Sequence, residues 1–251
     1  MNIMFQERSY RNLVNTEKLT TFQVVVKETD LLVHAARKLV AETRELVLEH
    51  RGYVEAYIRA HPDFLATLQP WRLEGPAPNI ITAMTTAAAS AGVGPMAAIA
   101  GAIAEQVGLG ILNLTDQVIV ENGGDIFIKT NSPATVGIFA GSSPLSLRVG
   151  IRLNSEKKPA AVCTSSGTLG HSLSLGKADA VCVVADSCAL ADAAATAIGN
   201  LVKSPADIQA AINRAKKLTE ISGIVIIAGD KIGAWGDLEI VPLITPPRKL
   251  A

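Results

Sequence analysis

Residues 76–104 carry no charged side chain. A stretch of this kind has few fates. About 18 consecutive apolar residues suffice to cross a bilayer, and otherwise such a segment is buried in a protein core. Thr82, Thr85, Thr86 and Ser90, together with the break between Gly92 and Pro95, argue for buried helices and against a membrane span. Pro95 suits the first position of a new helix, expected over residues 96–107. Ala97, Ala98, Ala100, Gly101, Ala102 and Ala104 keep that helix small on every side, so neighbouring elements can approach its backbone. Its N-terminus offers free N–H groups to an anion such as phosphate; the plainer reading is a central core helix.

Composition supports a core of small side chains. Hydrophobic residues make up 49% of the chain and aromatic residues only 4%, so Ala, Val, Leu and Ile must fill the interior. The 23 basic and 23 acidic residues balance and give no electrostatic footprint for nucleic acid or a membrane surface. Cys163, Cys182 and Cys188 form no CxxC pair, which points to a reduced, cytoplasmic setting. The N-terminal MNIMFQERSYR lacks the apolar segment of a signal peptide. Gly- and Ala-rich surfaces would suit a homodimer.

The periodicities predict an α+β chain with mixed, largely antiparallel sheets, a buried small-residue helix and flanking helices. Alternation predicts strands over residues 9–15 and 20–29, paired as a hairpin turning near 15–18. From Asp30 the spacing of Leu32, Ala35, Ala36, Leu39, Val40, Leu46 and Val47 predicts a helix. A second helix follows over 52–60, with His50 and His61 solvated near helix ends. The turn-rich residues 69–78 mark a seam inside one domain, between an N-terminal part, 1–75, and a core, 76–243; residues 244–251 form a tail. In the core, strands are expected at 117–120 and 126–129, at 135–140 and 147–153, at 180–185, and at 223–228, 231–235 and 238–243. Helices are expected over 189–202, capped by Asp186 and Ser187, and over 205–218.

Residues 163–200 concentrate the chemistry. A hydroxyl-rich loop runs from Cys163 to Ser174 and contains His171. On the helix that follows, Asp192 and Thr196 stand four residues apart and share a face, a carboxylate and a hydroxyl suited to a hard cation. Cys163 and His171 in one loop form a candidate for an activated thiolate, against the plainer reading of a core cysteine. Ser165 and Ser166 are candidate nucleophiles, although such loops more often bond their own backbone or a phosphate. Between the strands at 117–129, Glu121-Asn122-Gly123-Gly124-Asp125 reads as a hairpin turn with more polar chemistry than a turn requires.

Four motifs in order, GPMAAIAGAIAE (residues 94–105), ENGGDIFI (121–128), VCTSSGTLGHS (162–172) and ADAAATAIGN (191–200), resemble the ApbE superfamily. Its best-known members are FAD-dependent, magnesium-requiring protein flavin transferases. The chain is most similar to the compact, uncharacterised branch found in bacteria and archaea. The resemblance places Asp192 and Thr196 on the positions that bind the divalent cation. It places Asn122, Gly123, Gly124 and Asp125 on a motif beside the flavin nucleotide, and Thr164, Ser165, Ser166 and Gly167 on a cofactor-binding TSG loop. The helix after Gly94 resembles a segment that offers a backbone carbonyl to the metal, but Gly101 stands near where the transferases carry a Lys. His171 follows the loop almost at once and no Asp-Pro comes after it, so the lid of the transferases is shortened or gone.

Three readings follow. The chain holds a divalent cation with a nucleotide or small molecule and acts in cytoplasmic sulfur or cofactor metabolism. Or it transfers flavin from FAD with Mg²⁺ to an acceptor protein, His171 serving as base. Or it is a non-catalytic binding module with a vestigial pocket.

Overall fold

The structure, a computed structural model, describes residues 19–166 and 176–243. The strand expected over 9–15, the tail, Gly167 and His171 lie outside the described residues.

Eight strands form one sheet in the order β1-β2-β3-β4-β7-β8-β9-β10, and every neighbouring pair is antiparallel. They are β1 Thr20–Val26, β2 Thr29–Ala35, β3 Val118–Asn122, β4 Asp125–Lys129, β7 Ala160–Ser165, β8 Ala180–Ala185, β9 Ile221–Ala228 and β10 Lys231–Gly236. A second, three-stranded sheet is ordered β11-β6-β5, from Glu239–Pro242, Val149–Leu153 and Ala134–Gly137. The helices are α1 Val40–Ala60, α2 Asp63–Ala66, α3 Asn79–Ala91, α4 Ile99–Ile111, α5 Cys188–Gly199 and α6 Ile208–Ala215. This is the expected α+β architecture.

Side chains alternate across a strand, and the large sheet divides two cores accordingly. On one face Val118, Val120, Phe127, Ala161, Cys163, Val181 and Val183 join the helices in a single apolar cluster. On the other face Ile119, Ile128, Val162, Cys182 and Val184 pack with Val136 and Ile151 of the small sheet and with Ile138 just past β5. The layers are helices, large sheet and small sheet. The small-residue helix is buried as expected: Ala102, Ala104, Val107 and Ile111 of α4 have no exposed surface.

The N-terminal expectations need correction. β1 pairs with β2, turning at Lys27 and Glu28, inside the range expected as one strand. Asp30–Ala35 is strand, because β2 is covered on both sides, by β1 and β3. Apolar residues on both faces then mimic helical spacing. The helix starts at Val40 and runs unbroken to Ala60, so Gly52 starts no second helix. His50 therefore lies well inside α1, half-buried, and burial lowers its pKa. His61 stacks on Tyr57, ring centroids 4.4 Å apart. The charge-free run splits into α3 and a segment, Pro95–Ile111, bent from it by 106°. Among the described residues no single helix is long and apolar enough to cross a membrane. Pro95 opens a turn of 3-10 helix, Pro95–Ala98, and α4 itself begins only at Ile99.

Candidate functional site

Three elements meet on the helical face of the large sheet: the β3–β4 turn, the end of β7, and the crossing of α4 with α5. The turn is a two-residue connection. Asn122 pairs with Asp125 across it, and Gly123 and Gly124 have φ of +67° and +108°. Such values favour glycine, which explains the double glycine; around Gly123 there is open space where a Cβ would stand. From the opposite face of β3, Glu121 Oε1 accepts a 2.9 Å hydrogen bond from Gly124 N and braces the turn.

Asn122 and Asp125 both point toward the helices. Asn122 Nδ2 donates to the carbonyl oxygen of Ala100, at the start of α4, at 3.0 Å. Next along that backbone, Gly101 N donates to Asp192 Oδ2 at 2.9 Å. A first-turn N–H has no partner within its own helix, so the N-terminus read as an anion site takes a carboxylate from α5. Gly101 makes this contact feasible. A Cβ there would lie 2.3 Å from Cys188 O and 2.8 Å from Asp192 Cβ. The two helices therefore touch backbone to backbone, and no residue but glycine fits without moving them apart.

The carboxylates sit in one electrostatic neighbourhood. Burial raises the pKa of Asp125 well above the ordinary value, and the charges of Asp192 and Glu121 push it further; hydrogen bonds from the Cys163 thiol and the Thr164 backbone oppose this. Burial raises Asp192 to about 7, against hydrogen bonds from the Gly101 and Ala100 backbone. Thr196, one turn along α5, is half-buried.

Other predicted site residues divide by strand alternation. Ser165 faces the helices, its Oγ 3.7 Å from where a Cβ of Gly199 would stand. Thr164 faces the other way. It pairs with Cys182, and the two side chains hydrogen-bond on the small-sheet side, so the Thr164 side chain does not reach Asp192. Ser166 is the last described residue after β7 and is half-buried. Cys163 has no exposed surface, and burial raises its thiol pKa well above the ordinary value. Its thiol is therefore held protonated within the core.

The sequence reading missed Glu105. Its Oε2 accepts from Ser187 Oγ at 3.1 Å, Cys188 N at 2.9 Å and Ala189 N at 3.1 Å, closing the N-terminus of α5 from α4. Its signal was visible: Glu105 is the carboxylate that ends the charge-free run.

Among the described residues no group of three or more His, Cys, Asp and Glu side chains could hold a metal. Asp192 and Thr196 stand one turn apart on α5 and offer a carboxylate and a hydroxyl. Both are oxygen ligands, as a hard cation such as Mg²⁺ requires. A groove of about 640 Å³ opens instead between α3 and the start of α5, lined by Asn79, Thr82, Thr86, Ser187, Leu190 and Glu220 among others. It shares no residue with the Asp192 constellation.

The family described as AbpE bacteria matches residues 11–227. A UPF0280 protein of Methanocaldococcus jannaschii is 41% identical over 223 residues, covering 86% of this chain and 90% of its own. Another, from Methanococcus vannielii, is 38% identical over 240 residues, covering 93% and 96%. Among solved structures, the flavin transferase ApbE from Vibrio cholerae aligns with a TM-score of 0.55 at 11% identity, over 87% of this chain and 96% of the other. The apo flavinyl transferase ApbE of Pseudomonas stutzeri aligns at 0.54 and 14%, over 87% and 94%. At such identities the likeness is one of fold.

Proposed function

The chain belongs to the AbpE bacteria family, and we propose from this premise that it binds a divalent cation at Asp192 and Thr196 and, beside it, a nucleotide or small phosphorylated molecule. One observation carries the reading: the Asp192 carboxylate is fixed on the backbone of α4, at Gly101, one residue from the Ala100 carbonyl that Asn122 holds. Asp192, Thr196 and that carbonyl region would hold Mg²⁺. When bound, the cation would act as a Lewis acid and neutralise phosphate charge. Gly123 and Gly124 let a ligand approach the backbone of the turn, and Asn122 and Asp125 border it. Asp125 is buried with a raised pKa and, kept neutral, would donate a hydrogen bond to a ligand oxygen.

Flavin transfer is the second reading, favoured by the fold shared with the two flavin transferases. There FAD would supply the nucleotide and a separate protein would accept the flavin. His171, the base proposed for that step, lies outside the described residues. A role in sulfur or cofactor metabolism remains a proposal for the small-molecule reading.

The test is calorimetric titration with FAD, FMN, ADP and AMP, with and without Mg²⁺, on the native chain and on Asp192→Ala. Magnesium-dependent nucleotide binding lost in Asp192→Ala is the expected result. Preference for FAD selects flavin transfer, and FMN transfer to an acceptor would follow. Absence of all binding would overturn both readings and leave a non-catalytic module.

A further inference from the structure

The described residues place two thiols together that the proposed cation site does not use. Cys163 on β7 and Cys188 at the first turn of α5 have their Sγ atoms 3.4 Å apart, and the Cys163 thiol also donates to Cys188 O at 3.3 Å. Cys182 lies one strand away and is equally buried, but it belongs to the core on the other face of the sheet. The fold thus contains an adjacent pair and, in the same chain, a buried cysteine set apart from it. A disulfide needs about 2.05 Å between sulfurs, so closure draws the start of α5 and β7 toward each other.

We infer that Cys163 and Cys188 form a redox latch: hydrogen peroxide closes them to a disulfide that ties the helix carrying Asp192 to the strand beside Asp125. The steps balance with peroxide as the only oxidant. One thiol attacks peroxide; the O–O bond breaks, an S–O bond forms and one water leaves. The neighbouring thiol then attacks this sulfenic acid; the S–O bond breaks, the S–S bond forms and a second water carries away the proton. Two electrons pass from the two sulfurs to the peroxide oxygens. Either thiol can react first, since burial raises the pKa of both. Oxidation proceeds through brief local opening at the helix start, so it is slower than for an exposed thiol. Once one sulfur is oxidised, the contact partner is already in place.

The experiment uses the full chain, reduced, freed of reductant, exposed to hydrogen peroxide, quenched with catalase and then denatured in N-ethylmaleimide. The expected product carries one maleimide, on Cys182, and yields a linked Cys163–Cys188 peptide that dithiothreitol separates. Its thermal midpoint lies above that of the reduced protein, and Cys182→Ala still forms the link. Three maleimides after peroxide, a link involving Cys182 or a second chain, sulfinic acid at either cysteine, or a lower midpoint would each overturn the latch. The decisive measurement is made on the unmutated chain, so no variant has to fold.

Discussion

Glu105 holds the first turn of α5 through Cys188, its Oε2 standing 2.9 Å from Cys188 N. Asp192 returns the contact from α5 to α4, its Oδ2 2.9 Å from Gly101 N. Each crossing helix gives a carboxylate to a first-turn N–H of the other, where the helix dipole favours negative charge. The acid proposed to meet a cation is thus oriented by the fold before any ligand arrives.

Glu105→Ala removes a cap from three donors. It should destabilise the protein by about 1–3 kcal/mol, read from urea unfolding. Glu105→Gln keeps an acceptor oxygen without the charge and should cost less. Equal losses in the two variants would mean that side-chain packing, and not capping, is what Glu105 contributes.

Gly101→Ala tests the helix crossing itself. The new Cβ meets the Cys188 carbonyl at 2.3 Å, and neither backbone can yield alone. Overpacking of this kind costs about 1–3 kcal/mol, and the displaced α5 carries Asp192 away from Gly101 N. Magnesium binding should weaken along with stability; a variant as stable as the parent would show that the helices part freely.

This crossing also shows what the sequence made legible. The shared face of Asp192 and Thr196 was legible from helical spacing, and the tight turn from Asn122 to Asp125 from its double glycine. The partners of Glu105 and Gly101 were not legible, because they lie 83 and 91 residues away and no local period encodes such contacts. The face that Thr164 occupies was hidden for a related reason. Its neighbours in sequence are polar, but which face of β7 it occupies depends on pairing with Cys182 on β8. The same applies to β2, whose burial on both faces erased the alternation that identifies a strand.

Gly124→Ala should destabilise by about 1–2 kcal/mol, since φ of +108° is strained for a residue with a Cβ. Gly123→Ala, at φ +67° in open space, should cost less. If the turn meets a ligand, Gly123→Ala should still weaken nucleotide binding through the added methyl, so the two variants separate stability from binding. The check is urea unfolding beside calorimetry for each.

The protonation of Asp192, beside that of Asp125, contributes to the pH dependence of both stability and cation binding. Burial holds the folded pKa of Asp192 at about 7, above the ordinary value of 3.8. Between these values the folded state binds more protons than the unfolded chain, so stability falls as pH rises through the window. Asp192→Asn, neutral throughout, should flatten that slope in urea unfolding at a series of pH values. A cation reverses the preference, because it needs the carboxylate deprotonated. Magnesium affinity should therefore increase as pH rises, changing by about tenfold per unit below pH 7 and levelling off above it. Added Mg²⁺ should stabilise the protein at about pH 8 and have little effect at about pH 5. An affinity that is flat across this range would show that Asp192 is not the carboxylate that meets the metal.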